Sequence, residues 1–214
     1  MDEKIHHYIE SLIPKRTGLF AEMEEFAREQ GVPIMESVGI EVMLQMLRIQ
    51  RPARILEIGT AIGYSALRMA AALPGTEIVS VERDEERYKQ AISYLDRSEH
   101  GRQVKVLFGD ALDLSAQARE LGPYDAIFID AAKGQYKRFF DMYSLCLAER
   151  GVIYTDNVLF KGHVAGIPVE SKRIDRLVKK IQSYNEWLMN HEEYDTIIIP
   201  AGDGLAISRK RGEE

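Results

Sequence analysis

The chain has 214 residues, 45% hydrophobic and 29% charged, which suits one domain with a sizeable core and leaves little room for a second. No apolar run approaches the roughly 20 residues of a membrane span, and the net charge of −6 argues against indiscriminate coating of nucleic acid while allowing a local basic face. A single cysteine, Cys146, excludes an internal disulfide, and the opening MDEKIHHYIE has no signal-peptide pattern, so a cytoplasmic location with no membrane partner is expected.

Residues 4–13, 17–29 and 36–50 read as three helices, an N-terminal helical cover over residues 1–50. Gly31 closes the second as a C-terminal glycine does, and Pro52 closes the third. Ile40, Met43, Leu44 and Leu47 fall at i, i+3, i+4 and i+7, one buried face. Such helices must cover a ligand crevice or a second subunit, so a homodimer is plausible. The connecting Pro33-Ile34-Met35-Glu36 can reach a site, although Met35 alone reads as core.

Arg54 to Ile58 is the first strand, followed by a tight loop and a helix over 64–73 that Pro74-Gly75 stops. The stretch carries E-x-G-x-x-x-G. A dinucleotide pyrophosphate wants closer glycines and no carboxylate beside it. Glu57 at the mouth suits a ligand with positive charge, such as the ammonium and sulfonium groups of S-adenosylmethionine (SAM). A purely structural βα turn is the competing reading.

Strand two, 77–81, ends at Glu82, about 23 residues after Gly59 and near the distance at which a carboxylate takes a ribose hydroxyl pair. A solvated charge in the run Glu82 to Arg87 is the alternative there. A helix over 84–97 follows. Strand three, 103–108, runs into Gly109-Asp110-Ala111, where the carboxylate suits an adenine amine or caps a helix. Strand four, 124–129, is nearly all apolar, hence buried on both faces, and ends at Asp130 with Lys133 just beyond. Tyr136, Phe139, Phe140, Tyr143 and Leu147 make one helical packing stripe, and Cys146 lies in the same apolar helical pattern. Strand five, 151–155, ends at Asp156-Asn157. A helix over 171–190 comes next. Strands at 196–199 and 205–208 are joined so briefly that they must form an antiparallel hairpin.

Acids thus recur at or just past five strand ends: Glu57, Glu82, Asp110, Asp130 and Asp156. Parallel strands put them on one edge. With strands four and five beside strand one, Asp130, Asp156 and Asn157 converge next to the glycine loop. Two carboxylates and an amide oxygen form a hard oxygen set that fits Mg²⁺. A helix cap at Asp130 and a turn at Asp156-Asn157 are the structural alternatives.

The segments ILEIGTAIGYS, VER, GDAL, FIDAAKGQY, TDNVLFKG and PAGDGLAIS resemble the cation- and SAM-dependent O-methyltransferases that include catechol and caffeoyl-CoA O-methyltransferases. The match runs from about Met35 to Arg209 with all motifs in order. VPIMES, IFIDAAKGQYKRFF, YNEWLMNH and IIIPAGDGLAISRK are closest to the bacterial tRNA 5-hydroxyuridine methyltransferases of that family. The resemblance implies a single α/β domain with a Rossmann-like class I methyltransferase fold: a seven-stranded, mostly parallel sheet with one antiparallel strand and helices on both faces. It implies Asp130, Asp156 and Asn157 as metal ligands and Lys133, with Asp130, as catalytic. Glu57, Gly59, Tyr64 and Ser65 would hold the methionine end of SAM, Glu82 the ribose, and Asp110 and Ala111 the adenine, with Asp130 also at the cofactor and Met35 covering it.

Two departures bear on the substrate. Ala131-Ala132 stand where catechol enzymes carry a bulky pair, and the loop 160–170 is short beside the plant enzymes. On the helix after Asn157, Lys172, Arg173, Arg176, Lys179 and Lys180 share one face, while Ile174, Leu177, Val178 and Ile181 share the opposite one. Such a stripe could take tRNA phosphates or be a solvated face. The expected reaction is Mg²⁺-assisted methylation of a tRNA 5-hydroxyuridine, with a small catechol or caffeoyl-CoA-like phenol as the alternative acceptor.

Overall fold

The computed structural model describes residues 3–169 and 171–212; Glu170, the last residue of the loop 160–170, lies outside them. Helices α1 (Glu3–Leu12), α2 (Gly18–Gln30) and α3 (Ser37–Gln50) precede the sheet. α2 stops because Gly31 turns left-handed (φ 63°) and its N–H closes onto the Ala27 carbonyl. α3 stops at Arg51, also left-handed, whose N–H reaches the Leu47 carbonyl at 2.7 Å before Pro52 removes the next donor. Ile40, Met43, Leu44 and Leu47 are all buried, as their spacing predicts.

The alternating part comprises β1 (Arg54–Ile58), α4 (Tyr64–Ala72), β2 (Glu77–Glu82), α5 (Glu85–Arg97), β3 (Val104–Phe108), α6 (Ser115–Glu120), β4 (Tyr124–Ile129), α7 (Tyr136–Tyr143), β5 (Leu147–Thr155), α8 (Lys172–Met189), β6 (Tyr194–Ile199) and β7 (Leu205–Lys210). Among the described residues the strands form one seven-stranded sheet, ordered β3-β2-β1-β4-β5-β7-β6. β7 runs antiparallel to both its neighbours, and the pairs from β3 to β5 are parallel. This is the expected Rossmann-like methyltransferase architecture.

Both faces of the central strands are covered, so alternate residues feed two cores. Ile55, Ile78, Phe128 and Tyr154 face α2, α3 and α4 through Met23, Leu44 and Leu67. Leu56, Ile58, Val79, Ile127 and Ile153 face the other layer, with Tyr136, Phe140 and Tyr143 of α7 and Tyr184 and Leu188 of α8. Each fully buried side chain of this size stabilises by about 1.5–3 kcal/mol relative to exposure.

One cation is buried in the first layer. The Arg68 guanidinium lies 5.5 Å from the Phe20 ring centre and 5.6 Å from that of Tyr64. It donates to Glu41 and, at 2.9 Å, to the Tyr64 hydroxyl, while Arg16 shares Glu41. A buried charge persists only with such partners, and this set ties α2 and α3 to α4.

Two local expectations, at Leu147 and Asp110, need correction, and two features of the helices lie beyond the sequence reading. Leu147 opens β5 and is not part of α7, because the helix gives way to a 3-10 turn at Ser144–Cys146; buried Cys146 sits in that turn. α6, with no periodic apolar stripe in its six residues, is absent from the sequence reading. Ile174 does not join the buried face of α8: it is 38% exposed, where Val178 and Ile181 are buried. Asp110 does not cap a helix; its carboxylate accepts the Leu112 N–H at 2.9 Å, a local turn ahead of α6. No helix among the described residues is long and apolar enough to cross a membrane.

Candidate active site

The site follows from how each strand ends. Just past β1, the N–H groups of Gly59 and Thr60 hook onto the Val81 carbonyl of β2 (3.0 and 3.1 Å). Past β3, the Gly109 N–H reaches Glu82; past β4, Asp130 reaches Ile58; past β5, Asp156 reaches Ile129 (2.9, 2.9 and 3.1 Å). These hooks extend the ladder one step beyond each strand and hold the rim residues in a row. Strand order reverses between β1 and β4, the switch point at which such sheets open a crevice.

A cavity of about 660 Å³ fills that crevice. Gly59, Thr60, Tyr64, Ser65, Glu82, Asp110 and Ala111 line one half, Asp130, Lys133, Asp156 and Asn157 the other, and Met35 covers it from the N-terminal side. Of the residues expected at the site, all but Glu57 line it.

Gly59 must be glycine on two counts. Its φ is 107°, and a Cβ would stand 2.2 Å from the Asp130 carbonyl oxygen. Ala61, left-handed at φ 46°, is held by its N–H donating to the Glu82 carboxylate at 2.7 Å. Glu82 also accepts from the N–H groups of Arg83 and Asp84 (2.9 and 2.8 Å). A carboxylate offers about four lone-pair sites, so one remains for a ribose hydroxyl.

Glu57 lies behind the loop, fully buried. The β1–β2 register sets it opposite Ser80, whose hydroxyl donates to one carboxylate oxygen while Ser65 from α4 donates to the other. Burial pushes its pKa up to about 7, against the pull of those two hydroxyls. Glu57 therefore acts on the cavity through Ser65 and the shape of the loop. Tyr64, beside it, donates to Glu24 and accepts from Arg68; burial and then the Glu24 bond push its hydroxyl up to about 12.

In the other half, Tyr136 donates to the Asp156 carbonyl at 2.8 Å, fixing the turn after β5. Asn157 is left-handed (φ 58°), its amide N–H₂ donates to Asp156 Oδ2 at 3.1 Å, and its amide oxygen accepts from Lys133 Nζ. The half-buried Lys133 is thus drawn into the site. Burial raises the pKa of Asp130, with Lys133 opposing, and raises that of Asp156 further, reinforced by the Asp130 charge.

Among the described residues no three His, Cys, Asp or Glu side chains are disposed as a metal site; the third donor here is an amide. The set nonetheless fits a hard cation. Asp156 Oδ1 is buried with no hydrogen-bond partner, a loss of free energy that a cation would relieve. The amide oxygen has two lone pairs, so it can face a cation and still accept from Lys133.

Asp203 was not singled out from the sequence, yet it lines the same half. Gly-Asp-Gly is legible as a hairpin turn, but only the insertion of β7 between β5 and β6 returns that turn to the rim.

The family model described as O-methyltransferase matches residues 14–211. A catechol O-methyltransferase from Niastella koreensis is 31% identical over 217 residues, covering 96% of this chain and 96% of that protein. A solved structure from Staphylococcus aureus, provisionally assigned as a caffeoyl-CoA O-methyltransferase, is 36% identical with a TM-score of 0.91 over 97% of this chain and 100% of that one. The Streptomyces achromogenes O-methyltransferase TomG, solved in complex with SAM, has the same fold at 23% identity and a TM-score of 0.82, over 99% and 100% of the two chains.

Proposed function

The chain belongs to the O-methyltransferase family, and from that premise we propose that it transfers the methyl group of SAM to one hydroxyl of a vicinal oxygen pair on a catechol or caffeoyl-CoA-like phenol, with a divalent cation such as Mg²⁺ at Asp130, Asp156 and Asn157. The observation that carries this is one cavity whose two halves meet at the switch point, with unpartnered Asp156 Oδ1 in the second.

A divalent cation there would offset the charge of the deprotonated hydroxyl and hold both oxygens of the pair. Lys133 Nζ, positioned by Asn157, takes the hydroxyl proton. Gly59 and Ala61 set the loop that receives the sulfonium end of SAM, and Glu82 and Asp110 orient its ribose and adenine. An O–CH₃ bond forms as the S–CH₃ bond breaks, and alignment of the two halves supplies much of the rate. Met35 and its neighbours exclude water from one side.

A second reading, methylation of tRNA 5-hydroxyuridine to 5-methoxyuridine, is favoured by the surface beside the cavity. Lys133, Arg173, Arg176 and Lys180 border one groove, and Ala131-Ala132 leave the acceptor side without bulky packing. Part of the stripe is neutralised, since Lys179 pairs with Asp175 at 2.8 Å. Under either reading we expect a cytoplasmic enzyme that pairs as a homodimer through α1, which exposes Ile5, Tyr8, Ile9 and Leu12.

The test is incubation with methyl-labelled SAM and Mg²⁺, with catechol or caffeoyl-CoA in one arm and tRNA lacking the methyl group in the other. Label on the phenols is the expected result; label on tRNA alone replaces the first reading with the second. Asp156→Ala should abolish turnover and keep SAM binding, and full activity in that variant removes Asp156 from the site.

A further inference from the structure

We propose that Asp203 is a positioning residue for methyl transfer: from the β6–β7 hairpin it clamps the segment 157–161, left-handed at three of its residues, and so fixes the Asn157 amide beside Asp156 in the cavity that Asp130 also lines. The inference rests on the cation site proposed above, for which Asn157 is the third donor.

The segment is held in a conformation its residues resist. Asn157, Phe160 and Lys161 have φ of 58°, 46° and 53°, and none is glycine. Such backbone persists only where the surroundings over-determine it. Here the Val158 N–H donates to the Gly204 carbonyl at 3.1 Å and the Leu159 N–H to the Asp203 carbonyl at 2.9 Å. The Lys161 N–H donates to the Asp203 carboxylate. Asp203 therefore supplies two of these bonds, one from its backbone and one from its side chain.

The clamp is itself anchored. A Cβ on Gly204 would stand 2.3 Å from Leu159 Cγ, and one on Gly202 3.3 Å from the Gly39 backbone at the start of α3. The hairpin tip is thus wedged between the N-terminal helices and the segment that carries Asn157. Phe160 and Lys161 line the cavity with Asp203, so releasing the Lys161 N–H would let the wall of the acceptor half turn over. A plain turn residue would be indifferent to chemistry; a clamp would not.

Three measurements on the full-length protein separate these. They are amide hydrogen exchange over residues 158–162, Mn²⁺ affinity by titration in the absence of SAM, and kcat with the KM for SAM. Asp203→Asn keeps an oxygen that accepts the Lys161 N–H and should stay within about threefold of wild type throughout. Asp203→Ala should speed exchange in the segment, weaken Mn²⁺ and lower kcat by about tenfold each, the scale of one lost charge-assisted hydrogen bond, with the KM for SAM unchanged. Equal losses in the Asn and Ala variants would make charge the cause and overturn the clamp, as would an Ala variant with wild-type exchange and kcat. If Asp203→Ala does not fold, Asp203→Glu, which displaces the acceptor by one methylene, takes its place with the same expectation. Wild-type protein that binds no Mn²⁺ defeats the cation reading instead, and exchange and kcat then decide the clamp alone.

Discussion

Lys133, in the cavity wall, and Glu57, buried behind it, show how differently two ionisable residues of one site can act. With Lys133 as the proposed base, held in place by Asn157, Lys133→Ala should lower kcat by about 10²–10³, within the usual range for a lost general base, with SAM affinity unchanged; steady-state kinetics with calorimetry checks both. Glu57 acts through protonation and burial. Unfolded, it releases its proton near 4.5; folded, it holds it to about 7. The folded state binds more protons in between, so this contribution is complete below pH 4.5 and lost as pH rises to 7, on the order of 3 kcal/mol. Glu57→Gln removes that slope, and melting curves from pH 5 to 8 should show wild type losing stability relative to the variant. Parallel curves would refute the assignment. Asp130, Asp156 and Asn157 were legible as rim residues because residue type at a strand's carboxyl end is itself the signal, whereas Lys133 was singled out by the family resemblance. Ser80 and Asp203 were not, since one depends on β1–β2 register and the other on where an antiparallel strand inserts.

At the scale of elements, long periodic segments were readable and short or exposed ones were not. β1 and β4 match their expected limits because continuous apolar runs bounded by acids and turn residues admit little else. Six-residue α6 is too short to declare a period, and Leu147 continued the α7 stripe numerically while the backbone had already left the helix. The polar face of α8 is a sharper case. Arg173 and Arg176 are exposed and border the groove next to Lys133. Under the tRNA reading, reversing both to glutamate should weaken tRNA binding and flatten its salt dependence by about two phosphate contacts, while activity on small phenols persists. Binding isotherms at several salt concentrations measure this, and an unaltered slope leaves the stripe as a solvated face.

For the whole molecule, the division of labour follows from topology. Under the proposed function, strands on one side of the switch point carry the loops for SAM and those on the other the residues for the cation, so one sheet edge would serve two ligands. Fold class was legible because motif order and strand alternation agree; quaternary structure was not, because α1 shows an apolar face without naming what covers it. If α1 pairs two copies as proposed, Tyr8→Glu with Leu12→Glu should leave a monomer with intact secondary structure, as sedimentation and circular dichroism would report. The Arg68 guanidinium, sealed among Phe20, Tyr64 and Glu41, has a bearing on traffic through the enzyme. Swinging the N-terminal helices aside would take Glu41 and the Phe20 ring from it together, so every opening at that end has to undo both contacts at once.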